Sequence, residues 1–274
     1  MKFLAFIALS AATLAAQVGT PLPKPGQPET TAPPVQQSGT AEDAASAKQA
    51  RSVLDQMIAA LGGNAYLNIQ DMEQKGRIYS FDHNGEATGG GAPFVRYWKW
   101  PDKDRLEMWR QRNWILVYNG NDANETTYHG THPMDPKDLK TYLERRSYSL
   151  DVVIREWLKQ PGVALYYDGR TMSENKSADQ VSLIMPDRRG ITFYIDANSH
   201  LPLRKTYTTH DPETGERVEE VETYDNYRAV QGVQTPTTIT RYKNSIMTAQ
   251  RFISTINYNT GVPDSKFDLA QASK

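Results

Sequence analysis

The segment Tyr128-His-Gly-Thr-His-Pro-Met-Asp135 gathers two imidazoles and a carboxylate. Such a set could hold zinc, or could place a base beside a nucleophile. Its spacing follows no metal-ligand signature, however, and it falls where an extended segment gives way to a helical pattern. Loop and helix-cap roles account for His129, His132 and Asp135 without a site. His200 and His210 sit beside turn formers, and Asp196 and Asp211 read as turn residues themselves. Gly89-Gly90-Gly91 lacks the helix with Lys and Ser/Thr that a phosphate loop needs, so it reads as a hairpin loop. No G-x-S-x-G, H-E-x-x-H, Walker or dinucleotide pattern occurs. The expectation is a protein that is not an enzyme, with no catalytic residue, no metal and no cofactor.

The apolar residues are the more informative set. Trp98 and Trp100 share one face of an extended segment, since side chains alternate with period two. Leu106 and Met108 pair in the same way on the next segment, and Trp114, Leu116 and Tyr118 on the one after. Side chains of this size serve equally as ordinary core packing or as the lining of a wide apolar cavity.

These residues need elements to position them. Ala50, Val53, Leu54, Met57, Ile58 and Leu61 recur at helical spacing ahead of Gly62-Gly63, after a Thr40/Asp43 capping pattern. From about Met72 onward the texture becomes short runs of aromatic and β-branched residues. Asn119-Gly120 marks a hairpin between two of them. Between Asp135 and Gln160 the period returns to helical through Leu139, Tyr142, Leu143, Leu150, Val153, Ile154, Trp157 and Leu158, until Pro161-Gly162 stops it. Extended runs then resume to Tyr258. About eleven strands with successive hairpins predict a mostly antiparallel sheet that curls, with an N-terminal helix and a helical insertion: an α+β fold.

Ahead of this lies a different kind of chain. Lys2 precedes an apolar run, Phe3 to Ala16, too short to span a bilayer and suited to a signal peptide over residues 1–16. Residues 17–40, with Pro21, Pro23, Pro25, Pro28, Pro33 and Pro34, read as a disordered proline-rich linker. Residues 41–274 form the folded domain. The 274 residues are 38% hydrophobic and 23% charged, with net charge −1 and charges of both signs interspersed. No basic stripe is present, which excludes nucleic acid as an expected partner. The absence of cysteine excludes disulfides and a lipid anchor of the cysteine type.

The final third carries a more specific pattern. Ile191-Thr-Phe-Tyr-Ile-Asp196 runs through a turn to Leu201-Pro202-Leu-Arg204. Tyr227, Gly232 and Pro236 follow in a Tyr-x-x-x-x-Gly-x-x-x-Pro spacing, and the close is Ile256-Asn-Tyr-Asn-Thr-Gly-Val-Pro263-Asp-Ser-Lys-Phe267. In this order the segments resemble the outer-membrane lipoprotein-sorting superfamily of LolA-, LolB- and RseB-like proteins, across roughly residues 45 to 270. The resemblance implies a strongly curved, incomplete antiparallel barrel closed by helices, with an apolar interior for acyl chains. It implies a periplasmic carrier or chaperone of a Gram-negative-type bacterium that binds lipids or lipoprotein acyl chains, with a membrane-associated donor or acceptor protein; the sequence leaves the oligomeric state open, with a monomer favoured. The alternative within the same fold is an envelope sensor or interaction module that regulates a membrane partner. Candidate lining residues on this reading are Trp98, Trp100, Leu106, Met108, Trp114, Leu116, Tyr118, Phe193 and Ile195. Tyr142, Leu143, Leu150, Val153, Ile154 and Trp157 are the candidate lid.

Overall fold

The computed structural model describes residues 41–109, 113–211 and 213–269. The expected signal peptide and linker, and Thr40 of the capping pattern, lie outside the described residues. The described chain opens with α1 (Ala41–Leu61) and the single turn α2 (Asn64–Leu67). Alanine-rich sequence favours α1, and Glu42 and Asp43 complement the positive end of its first turn. Ala50, Val53, Leu54, Met57 and Leu61 form its buried stripe. Gly62, at φ 127°, ends it. A Cβ there would lie 2.4 Å from the carbonyl oxygen of Gly232, so the turn requires glycine twice over.

Six strands follow: β1 (Asp71–Ser80), β2 (Ala92–Lys99), β3 (Lys103–Trp109), β4 (Asn113–Asn119), β5 (Asp122–Thr127) and β6 (Gly130–Pro133). The β4–β5 turn pairs Asn119 with Asp122, so Gly120 and Asn121 are its central residues and only Gly120 has positive φ. Then come α3 (Pro136–Ser147) and α4 (Leu150–Arg155). The Asp135 carboxylate caps α3 by accepting from the Lys137 amide, and Pro136 occupies the first turn where its missing N–H costs nothing. The second strand series is β7 (Ala164–Ser173), β8 (Lys176–Ile184), β9 (Gly190–Asp196), β10 (Pro202–His210), β11 (Arg217–Val230), β12 (Val233–Lys243) and β13 (Ile246–Tyr258).

All thirteen strands belong to one antiparallel sheet in the order β6-β5-β4-β3-β2-β1-β13-β12-β11-β10-β9-β8-β7. It is strongly curved and does not close. Thirteen strands exceed the eleven or so expected from sequence. The segment read only as a loop before the helix contributes β6, which pairs with β5 through Glu125–His132 and Thr126–Thr131.

The order has a direct consequence. Two meanders, β1–β6 and β7–β13, are joined by the β1–β13 pair. The chain therefore leaves one edge of the sheet at β6 and re-enters at the other edge at β7. The helices between them, α3 and α4, span that gap. A bulge at Lys75/Gly76 sharpens the bend at the β1–β13 join. A Cβ on Gly76 would fall 1.9 Å from the Phe252 carbonyl oxygen, which fixes glycine at the bulge.

The core is densest where α1 lies on β7 and β8. Leu54 and Met57 from α1, Val181 and Leu183 from β8, and Phe193 and Ile195 from β9 are all fully buried, together with Val153 of α4. A small separate cluster on the other face, Val117, Val262 and Phe267, holds the C-terminal segment against β4.

Candidate functional site

Strand register brings charged side chains onto the concave face. Lys205 of β10 stands opposite Glu222 of β11, which stands opposite Arg241 of β12. Glu222 accepts from Arg241 Nε at 2.8 Å and from the Tyr224 hydroxyl at 2.7 Å, and the Lys205 ammonium lies 3.4 Å away. Burial alone would push the Glu222 carboxyl up, but Lys205 and then Arg241 override it and hold it well below the usual carboxylate range. Across the bend, Arg96 of β2 grips Asp104 of β3 in a two-point fork at 2.8 and 2.9 Å. Arg251 of β13 lies between these two pairs in strand order.

These groups, with Trp98, Leu106, Leu116, Ile239, Ile253 and Ile256, line a cavity of about 290 Å³ between the sheet and the helices. Its roof comes from α3 and the start of α4, through Tyr142, Arg145, Arg146, Leu150 and Asp151. The two helices are held differently. At their junction, the Tyr148 carbonyl accepts from Lys205 Nζ at 2.8 Å, and the Tyr148 ring stacks on Tyr207 at 4.2 Å. Arg155, at the end of α4, donates to the carbonyls of Ile69 and Tyr66 at 2.7 and 2.9 Å and lies over the Trp100 ring. By contrast, α3 has no fully buried residue. Its attachments are Tyr142 stacked on Tyr118 and donating to Asp104, a Lys137–Glu213 ion pair, and Arg146. Arg146 donates to the carbonyls of Gly120 and Asp102 at 2.6 and 3.2 Å.

No family model and no curated protein matches the chain. Solved structures do. A DUF1329 family protein from Desulfovibrio piger aligns over 81% of this chain and 97% of its own, with TM-score 0.56 and 13% identity. An outer membrane lipoprotein-sorting protein domain from Vibrio parahaemolyticus aligns over 83% and 100%, with TM-score 0.54 and 11% identity. A LolA superfamily protein from Nitrosomonas europaea aligns over 80% and 97%, with TM-score 0.50 and 13% identity. The chain has a LolA-like fold. At such identities the likeness is one of architecture, and the side chains inside are this chain's own.

Within the LolA-like fold the residues singled out from sequence separate into three groups. Trp98, Leu106, Leu116, Tyr118, Tyr142 and Leu150 are brought together around the cavity. Val153, Ile154, Trp157, Phe193 and Ile195 are buried in the main core, with Met108 at its border. Leu143 is half-buried on α3 away from the cavity, and Trp114 is exposed with its indole N–H donated to Glu125. Trp100 lines a second, open crevice of about 500 Å³ between α1, α2 and α4. His129 and His132 are exposed: His129 packs on Tyr128, and the His132 Nδ1 lies 3.1 Å from the Pro133 carbonyl. Among the described residues no three His, Asp or Glu side chains converge as a metal would require.

The charged part of the cavity was missed. The signal for it is faint but real. Arg96 is in phase with Trp98, Lys205 with Leu203 and Tyr207, and Glu222 with Tyr224, so each charge sits on the apolar parity of its strand. A charge in that phase must find a partner or a purpose.

Proposed function

We propose that this chain is an exported envelope carrier or chaperone that shelters the apolar part of a lipid or lipoprotein acyl chain, rather than an enzyme. The supporting observation is the cavity of about 290 Å³ on the concave face, roofed by a helix that no buried side chain anchors. A curved sheet satisfies its own backbone hydrogen bonds and can leave one wall apolar, while a lightly held helix can admit and release cargo. Each methylene moved out of water into such a space contributes roughly 0.8 kcal/mol. The Vibrio parahaemolyticus protein of the same fold is a lipoprotein-sorting domain by name, and this supports a role of the same class here. The segment 1–16, read as a signal peptide, would deliver the protein to the periplasm, where a membrane-associated donor or acceptor would supply or receive the cargo.

Native mass spectrometry of gently purified protein is expected to show a co-purified lipid mass, and a fluorescent fatty acid should bind at one site per chain. Protein that is uniformly empty and takes up no fatty acid overturns the carrier reading and favours the interaction-module role.

A further inference from the structure

The cavity is not uniformly oily. Among the described residues its wall carries six basic side chains, Arg96, Arg145, Arg146, Lys205, Arg241 and Arg251, and three acidic ones, Asp104, Asp151 and Glu222. This local excess of positive charge occurs in a chain whose overall net charge is −1. Arg96 is matched by Asp104, and Arg241 and Lys205 share Glu222. Arg251 is different. It is only 9% exposed, and no carboxylate lies within ion-pair distance of it among the described residues. Its Nε has no hydrogen-bond partner, and its one polar contact is Nη1 to Gln74 Oε1 at the long distance of 3.5 Å. The guanidinium rests over the Phe94 ring at 5.4 Å and faces the cavity.

A buried, unpaired charge costs several kcal/mol and is retained where something offsets it. Resting such a group on an aromatic face leaves its donor edge free to hydrogen-bond an anion. Resting on the carrier reading above, we infer that the cavity recognises an anionic amphiphile, with Arg251 receiving the carboxylate or phosphate oxygens while the apolar wall takes the hydrocarbon. The surroundings agree. Burial first, then repulsion from Arg96 and Arg241, outweighs the attraction of the more distant Asp104 and Glu222 and pushes the Arg251 guanidinium down to about 9. Arg145, on the roof, is lowered by burial and by Arg241, and it too has no ion pair among the described residues. An entering anion relieves this accumulated repulsion from floor and roof together. The apolar tail packs beside it against Ile253 and Leu106.

The test uses titration calorimetry at pH 7 on the full chain, with sodium dodecanoate, dodecanol and inorganic phosphate as probes. Wild-type protein is expected to bind dodecanoate about tenfold or more tightly than dodecanol, the size of one charge-assisted hydrogen-bonded contact. Arg251→Met should abolish that preference, bringing the two affinities to within about twofold of each other, and Arg251→Lys should keep part of it. Unliganded Arg251→Met should also melt higher than wild type, because an uncompensated buried charge is replaced by an apolar side chain of similar length. Equal binding of dodecanol and dodecanoate by wild type, or a preference that survives Arg251→Met, overturns the anion inference and leaves the carrier reading standing. Phosphate binding that Arg251→Met abolishes, with no uptake of either amphiphile, supports the anion site and overturns the carrier reading. Binding of none of the three probes overturns both.

Discussion

A single carboxylate, Glu222, faces two cations from neighbouring strands on the concave wall, and the whole row is buried or nearly so. Such an arrangement adds little to stability as a pair, because desolvation consumes most of the Coulomb attraction. It is costly to break, since removing the carboxylate strands Lys205 and Arg241. Glu222→Gln is therefore expected to lose about 3–5 kcal/mol in urea unfolding at pH 7. The pH dependence has a definite sign. The native carboxyl lies below its ordinary value of about 4.3, so the unfolded chain takes up the proton first as the solution is acidified. The stabilisation from Glu222 is whole above that value and is lost as pH falls from there toward the native pKa. Unfolding titrations should show a steep fall in wild-type stability below about pH 4.3 and a shallower one in Glu222→Gln. Some slope must remain from Asp179, where burial pushes the carboxyl up and Arg170 overrides it. An unchanged slope would remove Glu222 from the account.

The helices across the mouth differ in how they are tied down, and that difference predicts their motion. Arg155 and Tyr148 fasten α4 and the junction through buried hydrogen bonds and stacked rings, whereas α3 has no fully buried residue and depends on Tyr142, stacked on Tyr118 and bonded to Asp104, and on Arg146. Bonds to a charged donor contribute about 1.5–3 kcal/mol each in partly buried settings. Arg146→Ala should thus raise hydrogen exchange along Leu139–Ser147 by about tenfold or more, with global stability lower by about 1.4 kcal/mol or more, while α4 stays protected from local opening. Uniform loss of protection in both helices would mean that α3 and α4 open as one unit. Much of this element-level picture was legible in the sequence: Asp135-Pro136 starts α3, the helical period carries both helices, and Gly62-Gly63 ends α1. What could not be read is which strands are neighbours. Periodicity reports the face a residue occupies within its strand, and not which strand lies beside it. Phe193 and Trp98 have the same alternation, yet Phe193 on β9 is fully buried in the core while Trp98 on β2 lines the cavity. Arg251 was invisible for the same reason, since its meaning depends on its cross-strand partners, Ile78 on β1 and Ile239 on β12, neither of which is a carboxylate.

On the scale of the whole molecule the curved sheet does two jobs along its length. At the β7–β8 end, α1 packs into the concavity and the interior is solid, which anchors the fold. Toward β1–β4 and β10–β13 the same concavity stays hollow, its wall shared by apolar side chains, paired charges and Arg251. The hollow, at about 290 Å³, lies at the small end of the roughly 300–1,000 Å³ typical of ligand sites. A hollow of this size holds only a short hydrocarbon chain beneath the α3 roof. Longer chains must then displace α3 to enter. The affinity of straight-chain fatty acids should accordingly rise about fourfold per added methylene while the cavity fills, the equivalent of roughly 0.8 kcal/mol each, and then level off once it is full. In Arg146→Ala, where α3 is unlatched, the plateau should move to longer chains, because extra methylenes no longer have to break the latch before they leave water. Calorimetry across a series of chain lengths in both proteins measures the two plateaus directly. A rise that continues unbroken to long chains in wild type would mean that the roof opens freely and Arg146 holds nothing shut. A plateau at the same length in both proteins would mean that the sheet wall, and not α3, sets the limit.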